Sequence, residues 1–120
     1  MNVQDKINIL YNNCKNLLSY EFDNSIEIKN VDEAYLIQDS FINLKKKNGF
    51  GEIGGWKVAL TNPEMQKLVG VDNPVEGAIL NSLIYKNNVS LKLENYCHLG
   101  VEAEIALKIH KDIPSKINGF

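Results

Sequence analysis

Val3, Ile7, Leu10, Cys14, Leu17 and Leu18 recur at three- and four-residue spacing, with Asp5, Lys6, Asn12, Asn13, Lys15 and Asn16 between them. That period puts the apolar side chains on one face of a helix, which the pattern predicts to fade near Ser19 and Tyr20. A polar connector runs from Glu21 to Asn30, with a short alternating stretch from Ser25 to Lys29. Asn30 is placed as an N-cap, Glu33 has the spacing to complete a capping box, and Asp32 lies at the positive end of the helix dipole. The second predicted helix spans about Val31 to Lys47, with Ala34, Tyr35, Ile37, Phe41, Ile42 and Leu44 as its apolar face. Lys45, Lys46 and Lys47 sit at its C-terminal end, as a solvated cationic end, and Asn48-Gly49 supplies the stop.

The texture changes after Gly49. Gly49-Phe50-Gly51-Glu52-Ile53-Gly54-Gly55 carries four glycines, without the spacing of a phosphate-binding loop. Trp56 to Leu60 reads as a strand. Thr61 or Asn62 caps a short helix with Pro63 in its first turn, Met65, Leu68 and Val69 on its apolar side, and Gly70 at its end. Pro74 and Gly77 bracket a turn. Ala78 to Tyr85 and Val89 to Leu93 read as strands split by Lys86-Asn87-Asn88. The cleanest alternation is Val101 to Ile109, with Val101, Ala103, Ile105, Leu107 and Ile109 on one side and Glu102, Glu104, Ala106 and Lys108 on the other. Helices first and strands after predict an α+β fold, with a helical region at 1–48 and a β region at 49–120.

Composition narrows the classes. The chain has 120 residues and a net charge of −2, and all 13 basic residues are lysine. The charge balance argues against a nucleic-acid binder that relies on a basic face, and without arginine bidentate recognition of phosphate is ruled out. No apolar run approaches the roughly 20 residues of a bilayer span, and the first ten residues lack a signal-peptide core. A cytoplasmic protein that binds neither nucleic acid nor membrane is expected. Cys14 and Cys97 have no metal-ligand spacing and read as small, half-buried hydrophobes.

The residues with chemical content are few. Glu102 and Glu104, at i and i+2, share one face of an extended chain roughly 6–7 Å apart. Carboxylates so held repel unless a cation sits between them, a need that Mg²⁺ or Mn²⁺ would meet, whereas on a solvent-facing edge they are ordinary surface groups. Lys57, between Trp56 and Val58, either holds a substrate carboxylate and relays a proton or snorkels from a sheet margin. His98 lies four residues before Glu102, and His110 ends the predicted strand; each reads more simply as a surface histidine.

Taken together, several runs resemble a known family. They are Ala34-Tyr35-Leu36-Ile37-Gln38; Gly55-Trp56-Lys57-Val58-Ala59-Leu60-Thr61-Asn62-Pro63-Glu64-Met65-Gln66; Leu68-Val69-Gly70-Val71-Asp72-Asn73-Pro74 through Gly77; Leu99-Gly100-Val101-Glu102-Ala103-Glu104-Ile105-Ala106-Leu107; and Asp112-Ile113-Pro114. Their order and spacing resemble the 2-keto-4-pentenoate hydratase / 2-oxohepta-3-ene-1,7-dioate hydratase branch of the fumarylacetoacetate hydrolase superfamily, from about Val31 onward. The resemblance implies a mixed β-roll sheet after the N-terminal helices, of which this chain holds the first half. It implies Mg²⁺ or Mn²⁺ on Glu102 and Glu104, and Lys57 as the catalytic and substrate-binding lysine. The implied reaction adds water to a 2-hydroxy-2,4-dienoate, giving a 4-hydroxy-2-oxo acid, in aromatic-compound catabolism by a homo-oligomer.

Two segments depart from the well-known hydratases. Val75 follows Pro74 where an aspartate is common, and Leu99-Gly100 stand where a proline and a basic residue are common. The family's third metal carboxylate lies on a later segment, so the chain looks like an N-terminal half that stops at Ile117-Asn118-Gly119-Phe120. The alternatives are a 2-oxo-dioate decarboxylase, an acylpyruvate hydrolase (for which neither His98 nor His110 is placed), and a non-catalytic module that binds a partner or itself through an open sheet edge.

Overall fold

The computed structural model describes residues 1–18 and 26–113. The elements are helix α1 (Val3–Lys15), helix α2 (Val31–Lys45), strand β1 (Ile53–Ala59), helix α3 (Pro63–Val69) and strand β2 (Val75–Leu80). The α+β class therefore holds. The fading of the first helix at Ser19–Tyr20, most of the connector and the last residues, 114–120, lie outside the described residues.

Each helix begins on an asparagine whose side-chain oxygen takes an otherwise orphaned backbone N–H. Asn2 accepts from Asp5 N, Asn30 from Glu33 N and Asn62 from Met65 N, each at 2.8 Å. Of the two candidate caps for α3, Asn62 takes the role. The capping box at α2 closes differently from the expectation. Glu33 Oε2 accepts from Lys29 N at 2.7 Å, one residue before the cap, because its other oxygen is held by Lys6 Nζ at 2.7 Å.

Lys6 is the main surprise of the helical region. Read as part of a polar face, it is 3% exposed, and its ammonium also donates to the carbonyl of Glu27. The pair ties α1 to the start of α2, beside Ile7 and Ile37, which are 4% exposed each. Tyr11 and Phe41 meet edge-on across the same helices, with centroids 6.4 Å apart. The lysine cluster at the end of α2 is not simply solvated. Lys45 lies over the rings of Phe41 (5.5 Å) and Phe50 (4.7 Å), and Lys46 pairs with Glu52 at 2.5 Å. Cys14 is half-buried, with Sγ 3.7 Å from Lys45 Nζ, whereas Cys97 is exposed rather than half-buried.

The sheet is an antiparallel pair, β1 against β2, with Trp56 opposite Ala78, Lys57 opposite Gly77 and Ala59 opposite Val75. The glycine run has a steric purpose. A Cβ on Gly51, whose φ is +83°, would lie 2.0 Å from Asn81 Oδ1, and one on Gly54 would lie 2.8 Å from Ile84 Cδ1. Asn81 N also donates to Glu52 O at 2.8 Å, so the chain leaving β2 closes onto the chain entering β1.

Several predicted strands are corrected. β1 starts earlier than Trp56 and ends at Ala59, because Leu60 turns into the left-handed region at φ 56°. The strand over Ala78–Tyr85 stops at Leu80, where a 3₁₀ turn, Asn81–Leu83, takes over. Residues 89–92 carry no strand, and Leu93–Asn95 form a 3₁₀ turn. Residues 101–110 have no regular secondary structure, and Val101 and Ile105 are each 92% exposed. Alternation is a preference for a pleated surface packed on one face, and among the described residues no strand pairs with this segment. The outer edge of β2 is met at Glu76 by side chains of α2, with Tyr35 Oη accepting from Glu76 N at 3.2 Å and Gln38 Nε2 donating to Glu76 O at 3.1 Å.

Candidate functional site

Lys57 stands in the middle of β1, opposite a glycine, so no side chain crowds it across the ladder. The corner that ends its strand is fixed by two contacts. Gln66 Nε2 donates to Leu60 O at 2.7 Å, and Asn62 caps α3 immediately afterwards. These bonds hold Leu60 in a backbone conformation that a β-carbon disfavours.

Glu102 and Glu104 come to Lys57 from the extended segment. Glu104 Oε1 accepts from Lys57 Nζ at 2.6 Å, and Glu102 Oε2 is 3.5 Å from the same nitrogen. The sharing of a face expected of i and i+2 is kept, although no strand forms. The cation between the carboxylates is the lysine. Side-chain exposures of 45% for Lys57, 74% for Glu102 and 61% for Glu104 leave the cluster open to water and salt. The hydrogen bond from Lys57 to Glu104 holds the ammonium above the ordinary lysine range, against a smaller opposing effect of desolvation.

His98 and His110 are exposed, and no hydrogen bond or ion pair joins either to this cluster. Among the described residues no group of three or more His, Cys, Asp or Glu side chains is gathered as a metal site. The donor chemistry nevertheless suits a hard divalent ion. Two carboxylate oxygens converge on one positive charge, and Mg²⁺ is commonly held by one or two carboxylates with water completing its shell. A groove of about 360 Å³ between α1 and α2, lined by Gln4, Ile7, Ser40, Asn43, Leu44 and Lys47, does not include the cluster. No described helix is long and apolar enough to cross a membrane.

Residue types brought these three forward separately and the family resemblance put them in one site, but neither showed that the lysine sits on the carboxylates. The available signal was the carboxylates' need for a cation, which a lysine with nothing opposite it can meet as well as a metal.

No family model matches the chain. No solved structure matches it either. The curated relatives carry one name. A 2-keto-4-pentenoate hydratase of Burkholderia vietnamiensis is 38% identical over 87 residues, 72% of this chain and 33% of the relative. A 2-keto-4-pentenoate hydratase of Paraburkholderia phymatum is 37% identical over 87 residues, with the same coverage of 72% and 33%. A 2-keto-4-pentenoate hydratase 3 of Pseudomonas putida is 32% identical over 88 residues, 72% of this chain and 32% of the relative. The resemblance to these hydratases is thereby borne out, and the relatives' names do not favour the decarboxylase, hydrolase or non-catalytic alternatives. The chain spans about a third of the length of the curated relatives it matches.

Proposed function

We propose that Lys57, Glu102 and Glu104 form part of a hydratase site that converts a 2-hydroxy-2,4-dienoate into a 4-hydroxy-2-oxo acid. The observation that carries this reading is the convergence of both carboxylates on one lysine ammonium within 3.5 Å, in a chain similar to enzymes named for that hydration. Glu102 and Glu104 would hold Mg²⁺ or Mn²⁺, which when bound supplies Lewis-acid polarisation of the substrate's 2-oxygen and carboxylate. Lys57, a flexible point charge with N–H donors, pairs with the substrate carboxylate and carries protons at Nζ.

The chemistry balances as a tautomerisation followed by addition. The 2-hydroxyl proton leaves and the terminal carbon gains one, which makes the 2-oxo-3-enoate. Water then gives its oxygen to carbon 4 and a proton to carbon 3. The open exposure of the cluster leaves room for an acid of this size to reach it. Self-association belongs to the same proposal, supported by apolar side chains that lie open to water, among them Leu107 at 83% exposed. Light scattering that gives a monomer at all concentrations would count against it.

The decisive measurement is the decay of the dienoate's ultraviolet absorbance in the presence of Mg²⁺ or Mn²⁺. Hydration is expected from the wild type and not from Glu104→Gln. Lys57→Ala is expected to lower turnover by about 10²-fold or more, with an unchanged circular dichroism spectrum. Unchanged turnover in the Lys57 variant would sink its assigned role.

A further inference from the structure

Lys57 occupies the point on which the two carboxylates converge, 2.6 Å from Glu104 Oε1 and 3.5 Å from Glu102 Oε2. A divalent ion bound by the same oxygens needs that place. Two positive charges cannot share it without strong repulsion. The lysine is well suited to leave. Apart from the two carboxylates it is held by its backbone in β1, it faces a glycine across the ladder, and 45% of its side chain is already in water. Its flexible stem can carry the ammonium away from the carboxylates while the strand stays where it is.

We propose that Lys57 is a tethered counter-ion of the glutamate pair, and that a divalent cation binds by exchange with its ammonium. The proposal rests on the reading of Glu102 and Glu104 as the metal-holding residues. It has two consequences. In the metal-free chain Lys57 cancels the repulsion between the carboxylates and keeps the extended segment beside β1. On metal binding the same ammonium is released and becomes free to meet the substrate carboxylate. The cation that protects the site when it is idle is thus the group that engages the substrate when the metal is present.

Mn²⁺ titration of the full chain, followed by electron paramagnetic resonance of the free ion, tests this together with Mg²⁺ titration followed by the NMR signal of the Lys57 ε-methylene. Lys57→Gln removes the competitor and is expected to bind Mn²⁺ at least about fivefold more tightly than wild type, the scale of one like-charge contact in water. Lys57→Arg keeps the charge and is expected to stay near the wild-type affinity. The ε-methylene signal, assigned by its loss in Lys57→Arg, is expected to move on saturation with Mg²⁺. Equal or weaker binding by Lys57→Gln overturns the exchange, and so does an ε-methylene unmoved at saturating Mg²⁺, because tightening would then come from charge at a distance. The Glu102→Gln/Glu104→Gln double variant separates this from the underlying reading. If it binds Mn²⁺ as wild type does, the metal assignment itself falls; if it loses the ion while Lys57→Gln fails to tighten, only the exchange falls.

Discussion

The molecule uses the same chemical pair, a lysine ammonium on a glutamate carboxylate, in two opposite settings. Lys6–Glu33 has side-chain exposures of 4% and 14% and joins two helices, whereas Lys57–Glu104 has exposures of 45% and 61% and joins a strand to an unpaired segment. Distance does not distinguish them, at 2.7 and 2.6 Å. Their access to water does. A buried ammonium that loses its partner cannot recover the lost solvation, so the first pair is fixed architecture. An exposed one exchanges its partner for water or for another ion at small cost, so the second pair suits a site that must change occupants.

Breaking each pair should expose the contrast. The largest effect is expected for Lys6→Ala, which removes a buried stem and its ammonium together and should cost about 3 kcal/mol in urea unfolding. Lys6→Met, which refills the space without the charge, should cost clearly less; equal losses would mean that the ion pair, not the packing of the stem, holds α1. Asn30→Ala removes the cap beside Glu33 and should cost about 1 kcal/mol by the same measurement. Acid should act on the helical region. Lys6, first by its hydrogen bond, and then the Lys29 amide hold the Glu33 carboxyl below its ordinary range. Its contribution is therefore full above the ordinary carboxylate range and is lost as pH falls through its lowered value. A thermal midpoint for wild type that falls at low pH no more than that of Glu33→Gln would contradict this. The smallest effect belongs to Lys57→Gln, whose unfolding midpoint should match the wild type at moderate salt.

The three helices were legible in the sequence because their signals are local. Apolar spacing, an asparagine at each start and Gly70 at the end of α3 act within a few residues and need no distant partner. The strands were legible only in part, because a strand is completed by what pairs with it. Val101 to Ile109 has the clearest alternation in the chain and no strand paired with it among the described residues, while Ile53 and Gly54, which read as loop, are in β1 because Leu80 and its flank lie opposite. Lys6 was misread for a related reason. Helical periodicity sorts residues into faces, but it does not show that Glu33 and the Glu27 carbonyl meet the polar face and bury it. Glu102, Glu104 and Lys57 could be named from residue type, while their mutual contact depends on a path through space between positions far apart in the chain.

The grip of Tyr35 and Gln38 on the peptide groups of Glu76 gives the molecule a built-in reporter. The Glu76 amide points away from β1 to the Tyr35 hydroxyl, so its exchange with deuterium is governed by whether α2 is docked rather than by whether the sheet is closed. In Tyr35→Phe that single amide should exchange faster while its neighbours in the ladder keep their rates. One proton on the rim of the sheet thus records how often the helical half and the strand half of the chain part company.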